Sequence, residues 1–99
     1  MYYVYVIESQ KNLDLYKGFT ISIRKRIKEH NERTVDSTKN FCPWKLIYCE
    51  ILPDKADAIA REKYLKSSWG RKFIKEVLKN YLKNKKTQQA GLRHFPSYL

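Results

Sequence analysis

Two aromatic and β-branched runs stand almost next to each other at the start of the chain, and that closeness limits how they can pair. Tyr2 to Glu8 (YYVYVIE) is rich in residues that suit a pleated surface and reads as a strand. Ser9 to Asn12 is polar and turn-like, and Leu13 to Phe19 resumes as a second strand interrupted by Gly18. A connection this short makes an antiparallel hairpin the simplest topology. Strand side chains alternate, so Tyr3 and Tyr5 share one face, and Tyr16 and Gly18 share one face.

Thr20 or Ser22 can cap a helix running to about Glu32. Its stripe Ile23, Arg26, Ile27, His30 has the spacing of an inward face, so two polar side chains stand where apolar ones belong. Arg33 to Pro43 is loop-like, and Trp44 to Leu52 (WKLIYCEIL) predicts a third strand. Pro53-Asp54 opens a second helix with Asp54 as cap, and its inward stripe is Ala58, Ile59, Glu62, Leu65. Ser67 to Gly70 is expected to break that helix. A third helix then runs from about Arg71 to Lys83, with Phe73, Ile74, Val77, Leu78, Tyr81 and Leu82 as its core stripe.

These elements predict an α/β (α+β) domain, a three-stranded antiparallel sheet flanked by three helices, over residues 1–84. Residues 85–99 read as a flexible or loosely docked basic tail. At 99 residues one domain is expected, and 14 aromatic side chains are enough for a packed fold. Cys42 and Cys49 have neither knuckle spacing nor the number for a disulfide scaffold, and Cys49 reads as a buried free thiol. With no signal peptide and no apolar run long enough to span a bilayer, a cytoplasmic, reduced setting is expected.

The net charge is +11 and uneven: residues 1–20 sum to zero, 21–40 to +3, 41–60 to −1 and 61–99 to +9. Such a balance favours polyanions, with DNA the first expectation, RNA the alternative, and a membrane surface disfavoured for want of a suitable amphipathic helix. Arg26 and Glu62 interrupt two faces that ought to be buried, and a buried unpaired charge is costly. Either they pair with each other across the helices, or each faces a cleft. Arginine suits a phosphate because its planar fork stays charged and grips two oxygens. One carboxylate can hold a magnesium ion whose other ligands are water and phosphate. A tyrosine serves as base only if its pKa is lowered by nearby positive charge.

Taken in order, these residues resemble the GIY-YIG endonuclease superfamily, in particular its small stand-alone bacterial single-domain members, which resemble the N-terminal nuclease domain of the excision-repair nuclease subunit. Tyr3-Val4-Tyr5 stands at the first triplet and Tyr16-Lys17-Gly18 at the second, with ten residues between Tyr5 and Tyr16. The segment 23–31 resembles the family's arginine helix, 43–48 its third strand, and 60–66 the helix with the metal-binding glutamate. The likeness covers about residues 2–82.

The resemblance implies a metal-dependent DNA endonuclease, in DNA repair or recombination, with one Mg2+ or Mn2+ ion on Glu62. It implies catalytic roles for Tyr5, Tyr16, Arg26, His30 and Glu62: Arg26 on the phosphate, and Tyr16 or His30 activating water. Lys17, Gly18, Arg24 and Lys25 would contact substrate, Gly18 by keeping the floor open. His30 could equally be a structural histidine or a phosphate contact, and Gly18 a simple bulge or strand end.

The chain departs from the family pattern at three places: Tyr3 replaces glycine, Lys17 replaces isoleucine, and the downstream asparagine falls only at Asn80 and Asn84. Those departures keep open a non-catalytic nucleic-acid-binding module on the same scaffold. A protein-binding accessory using the third helix and tail is a third alternative. As a small nuclease, the chain would be expected to need a homodimer or protein partner to make two cuts.

Overall fold

A computed structural model of the chain describes residues 1–84. The elements are β1 (Tyr2–Ser9), β2 (Leu15–Thr20), α1 (Ile23–Asn31), a 3-10 turn at Lys39–Phe41, β3 (Trp44–Leu52), α2 (Lys55–Lys66) and α3 (Ser68–Val77). Residues 79–84 are again helical after a turn at Leu78. The sheet order is β2-β1-β3, with both pairings antiparallel. The expected α+β fold, a three-stranded antiparallel sheet carrying helices, is therefore what forms. The expected tail over residues 85–99 lies outside the described residues. No helix among the described residues is long and apolar enough to cross a membrane.

β1 is the central strand and is buried from Val4 to Ser9, which explains why its sequence is apolar on both alternating sets of positions. Val4 and Val6 face α2 and α3, in a cluster with Ala58, Leu65 and Ile74 and with Leu15, Phe19, Tyr48 and Phe73 around it. Tyr5 and Ile7 face the other way, packed with Trp44 against Tyr16, Ile23, Ile27, Cys42 and Cys49. Each fully buried aliphatic side chain contributes about 1.5–3 kcal/mol. In the β1–β3 register Val6 faces Tyr48 and Ile7 faces Leu46, so Ile47 is an extra residue that bends β3 at mid-strand.

The hairpin turn is longer than the sequence suggests. β2 begins at Leu15, and Leu13 has φ 68°, a left-handed conformation rare for leucine. Buried Ser9 closes the turn: its Oγ accepts from the Lys11 and Asn12 amides (3.1 and 3.2 Å), and its carbonyl accepts from the Leu13 amide at 2.8 Å. Asn12 Oδ1 accepts from the Asp14 amide at 3.0 Å.

α2 is capped by Asp54, whose carboxylate accepts from the Ala56 and Asp57 amides (2.8 and 3.3 Å). Ala58 and Leu65 are buried, but Ile59 is 48% exposed, because it lies one residue beyond the 58, 62, 65 line that faces the sheet. The break before α3 is confined to Ser67. Its amide and hydroxyl donate to the Tyr64 carbonyl, and its Oγ accepts from the Gly70 amide at 3.2 Å, so Ser68 to Gly70 form the first turn of α3 rather than a gap. Gly70 is packed so tightly on α2 that an added Cβ would overlap the Tyr64 carbonyl oxygen and Leu65 Cα. The long third helix expected from Arg71 to Lys83 is divided at Leu78, and Val77 points outward.

Two polar links hold helices to the sheet. Arg61 grips Glu50 with both arms, Nε to Oε1 at 2.8 Å and Nη2 to Oε2 at 2.9 Å, while its guanidinium lies 4.8 Å from the Tyr64 and Phe73 ring centres. Fully buried Glu8 accepts from Gln10 Nε2 at 2.9 Å and from the Tyr81 hydroxyl at 2.8 Å, which ties helical residues 79–84 to β1.

Candidate active site

The register sets Tyr5 opposite Gly18 and Ile7 opposite Tyr16, so Tyr5, Tyr16 and Gly18 share the sheet face that α1 covers. α1 starts after Ser22, whose amide donates to Thr20 Oγ1 at 3.1 Å, and its inward stripe brings His30 down onto that face. The Tyr5 hydroxyl meets His30 Nε2 at 2.8 Å, and His30 Nδ1 meets Thr38 Oγ1 at 2.7 Å. All three side chains are buried. The Thr38 hydroxyl proton has the Val35 carbonyl as its acceptor at 3.4 Å. That direction assigns the ring proton to Nδ1 and leaves the Nε2 lone pair to accept from Tyr5. Tyr16 presents an edge-to-face contact to the His30 ring (centroids 5.3 Å apart) and to Trp44 (6.2 Å).

Burial governs the protonation of this chain of groups. It pushes the Tyr5 phenol up to about 12; the neighbouring Arg26 guanidinium opposes the shift, and Tyr16 and Glu62 add to it. Burial, then the Arg26 charge, pushes His30 down to about 4, with Glu29 opposing. At neutral pH the pair is thus a protonated phenol donating to an uncharged imidazole.

Arg26 connects this buried pair to solvent. Its Nη1 donates to Glu29 Oε1 at 3.0 Å, its side chain is 34% exposed, and its charge acts on the Tyr5 phenol. With Lys25, Glu29, Phe19, Thr20, Ile21 and Ser22 it lines an open groove of about 300 Å³. Arg24 is exposed on α1 but does not line that groove.

Glu62 projects from α2 close enough to act on the Tyr5 phenol through space. Its Oε2 pairs with Lys66 Nζ at 3.1 Å. Arg26 and Glu62 are therefore each paired within their own helix rather than with each other. Among the described residues no three His, Cys, Asp or Glu side chains gather around one point. A single carboxylate still suits a Mg2+- or Mn2+-like ion, which keeps most of its water and takes further oxygens from other ligands. Glu62 would hold such an ion.

Two residues expected to touch substrate stand elsewhere. Lys17 lies between Tyr16 and Gly18, so alternation turns it to the opposite face, toward α2 and α3. Gly18 is buried, and its free space is filled from within: a Cβ there would overlap the Tyr5 hydroxyl and Cζ and lie 2.9 Å from Cε1. The glycine makes room for the Tyr5 ring rather than for a substrate.

The sequence reading missed the group behind His30. Thr38 lies in the polar stretch before β3, and its carbonyl accepts from Trp44 Nε1 at 2.9 Å. Cys42 Sγ donates to the His30 carbonyl at 3.0 Å, and Asn31 bridges to the Trp44 backbone with bonds of 2.6 and 3.1 Å. These contacts cross a loop, where no periodicity reveals a partner. Cys49 is half-buried and is raised by burial and then by Glu50, so it is a packed thiol rather than a nucleophile.

Comparison with known proteins agrees with the geometry. No solved structure matches the chain. A UPF0213 protein of Clostridium perfringens is 40% identical over 67 residues, covering 67% of this chain and 71% of that protein. A UPF0213 protein of Syntrophus aciditrophicus is 35% identical over 66 residues (65% and 75%). One from Bacillus licheniformis is 32% identical over 88 residues (88% and 84%). The family model described as the GIY-YIG catalytic domain matches residues 1–76, which takes in the three strands, α1, α2 and nearly all of α3. The chain belongs to the GIY-YIG catalytic-domain family, a nuclease superfamily.

Proposed function

We propose that this protein is a metal-dependent endonuclease that hydrolyses phosphodiester bonds in DNA. The observation that carries the reading is Arg26: its guanidinium lines an open groove and its charge acts on the buried phenol that is held by His30. A backbone phosphate in the groove would meet a fixed, permanently charged fork, and negative charge developing on the phosphorus oxygens would be stabilised there. Its ion pair with Glu29 holds the fork in place until substrate arrives.

Water activation follows from the hydrogen-bond direction. The Tyr5 oxygen takes a proton from water as the Tyr5 hydroxyl passes its own to His30 Nε2. The hydroxide formed attacks phosphorus; the ester oxygen leaves with the bonding pair and takes a proton from solvent, and His30 returns its proton through Tyr5 to solvent. Free ionisation of Tyr5 is disfavoured by burial, so the two transfers are concerted. Thr38 holds the imidazole in the accepting tautomer. Tyr16, packed edge-on against His30, limits the ring's movement. When bound at Glu62, a divalent ion would polarise the phosphoryl oxygens and the leaving group. The setting, DNA repair or recombination, rests on the family likeness alone.

The local pairing of Arg26 with Glu29 and of Glu62 with Lys66 supports a second reading, a module that binds nucleic acid without cutting it. Labelled duplex, nicked, flap, branched and single-stranded DNAs incubated with Mg2+ or Mn2+ separate the two. Cutting that disappears in Glu62→Ala and Arg26→Ala while the fold persists supports the enzyme. Salt-sensitive binding with no cutting on any substrate moves the assignment to the binding module.

A further inference from the structure

The start of α3 holds a tryptophan out in water. Trp69 is 68% exposed, the most exposed aromatic side chain among the described residues, whereas Trp44 is only 6% exposed. Indole rings are on average well buried, because covering so large an apolar surface stabilises a fold. The exposure does not come from a loose segment. Ser67 Oγ accepts from the Gly70 amide at 3.2 Å, Gly70 is packed on Tyr64 and Leu65 of α2, and Ile74 is buried in the same cluster as Leu65. These contacts pin the first turn of α3 by its inward line and leave Trp69 facing solvent. Lys72, one turn on, sets its Nζ 4.9 Å from the indole ring centre. A bare aromatic ring and an ammonium group therefore stand together on a fixed helix.

Either the apolar surface of a protein or the flat face of a nucleobase could cover such a ring, and charge separates the two. Residues 61–84 carry eight Lys and Arg against two carboxylates, Glu62 and Glu76, each already paired with a lysine at 3.1 and 3.4 Å. Lys63 and Lys66 close α2, no acidic residue stands in the first turn of α3, and Arg71 and Lys72 are exposed beside the ring. That surface repels a second copy of this chain and attracts a polyanion. An unpaired nucleotide offers a base face for the ring and a phosphate for the ammonium. In a duplex the base faces are already stacked on their neighbours, so the pair suits a single strand.

We propose that Trp69 and Lys72 form a stacking site for an unpaired nucleotide, the base lying on the indole and the adjoining phosphate meeting the Lys72 ammonium. It rests on the reading that this chain engages nucleic acid, and not on its ability to cut. The site lies outside the groove of Arg26 and gives the protein a preference for strands with unpaired nucleotides over fully paired duplex. Stacking is tolerant of sequence, since every base has such a face.

The test is a titration of the full chain, in EDTA, with a single-stranded DNA oligonucleotide and with the fully paired duplex of the same sequence, read by tryptophan emission and by affinity. Trp44 is buried, so acrylamide quenching reports mainly Trp69. The single strand should change the emission and shield it from acrylamide, and the duplex should do so far less. Trp69→Leu should lower single-strand affinity about tenfold with the slope of log K against log salt unchanged. Trp69→Phe, which keeps a ring, should recover most of that loss. Lys72→Gln should lower the slope by about 0.7, the worth of one phosphate contact on a single strand. Val77→Ser, at another exposed apolar residue of α3, should match wild type. Because Trp69 is exposed, the melting temperatures of its variants should stay near that of wild type. Single-strand binding that leaves Trp69 open to acrylamide overturns the site, as does a Trp69→Leu loss no larger than that of Val77→Ser. Self-association of the chain that disappears in Trp69→Leu, with no effect on DNA binding, would give the ring to a second copy and overturns it too. Because binding is read without metal, failure to cut DNA would remove the nuclease reading and leave this result standing. Retained cutting with a silent Trp69 would do the reverse, and a wild type that binds neither DNA would remove both.

Discussion

The Tyr5 hydroxyl sits 2.8 Å from Nε2 of His30, and neither residue is more than 1% exposed. A buried phenol beside a buried neutral imidazole can pass on a proton but cannot readily hold a charge. Tyr5→Phe removes the oxygen at almost no change in shape. Cleavage should fall by about 10²–10⁴-fold, the usual worth of one positioned proton-transfer group. Stability should fall by only about 1–3 kcal/mol, for the unpartnered His30 nitrogen. DNA affinity measured without metal should be unchanged, since Arg26 remains. A variant that cuts at the wild-type rate removes Tyr5 from the chemistry.

The same pair sets a pH dependence of stability. The folded-state pKa of His30 is held at about 4, below its unfolded value near 6.5. Between those values the unfolded chain binds a proton that the native chain does not, so lowering the pH favours unfolding. Stability is fully present above pH about 6.5 and is lost progressively down to about 4, by an amount on the order of 3 kcal/mol. Urea melts between pH 5 and 7 should show this slope, above the range where most carboxylates titrate. His30→Gln, which binds no proton, should flatten it. An equal slope in wild type and variant would mean that His30 titrates normally in the fold.

Gly18 and Tyr5 are cross-strand partners, and the phenol covers the glycine. Gly18→Ala should therefore damage the site through Tyr5. The ring cannot swing away freely, because its hydroxyl is bonded to His30 and its edge is packed in the cluster with Ile7 and Trp44. A loss of about 1–3 kcal/mol is expected, as for other overpacked positions. Much of the overlap is with the hydroxyl oxygen, so Tyr5→Phe should partly relieve it. In a double-mutant cycle the combined loss in Gly18→Ala/Tyr5→Phe should be smaller than the sum of the single losses. Strict additivity would show that the Cβ is accommodated elsewhere.

The strands were legible because their signals are local. Aromatic and β-branched runs bounded by polar turns mark β1 and β3, and Asp54 marks the start of α2. Alternation was enough to put Tyr16 and Gly18 on one face and should also have turned Lys17 to the other, but that Tyr5 shares the Tyr16 and Gly18 face depends on the cross-strand register. The partners of Arg26 and Glu62 were within reach too, since Glu29 and Lys66 stand three and four residues on, where helix side chains meet. The left-handed Leu13 was not legible, because the turn is closed by Ser9 and Asn12 side chains against the conformational preference of leucine. Nor was Thr38, since a loop residue's hydrogen bond to a helix histidine depends on the path of the intervening chain. Gly70 reads as a helix breaker in sequence, yet it is the contact that lets α3 lie on the end of α2.

The Arg61–Glu50 fork should prove to be one of the stronger polar contributions to the fold. Its side chains are 31% and 19% exposed, both arms are made, and the guanidinium stacks on two rings. The Arg61 guanidinium holds the Glu50 carboxyl below its usual range against the effect of burial, and the Tyr48 hydroxyl adds a bond at 2.7 Å. Lys28–Glu32 is a contrasting pair on the same molecule, 4.0 Å apart with side chains 74% and 55% exposed. Double-mutant cycles by urea unfolding should give a coupling of about 1.5–3 kcal/mol for Arg61–Glu50, in the range of charged hydrogen bonds. The Lys28–Glu32 coupling should be no more than about 0.5 kcal/mol. Arg61→Lys keeps the charge but loses the fork and the stacking, so it should recover less than half of the Arg61→Ala loss. Full recovery by lysine would mean that charge alone carries the link, and that α2 is held to β3 by a simple ion pair.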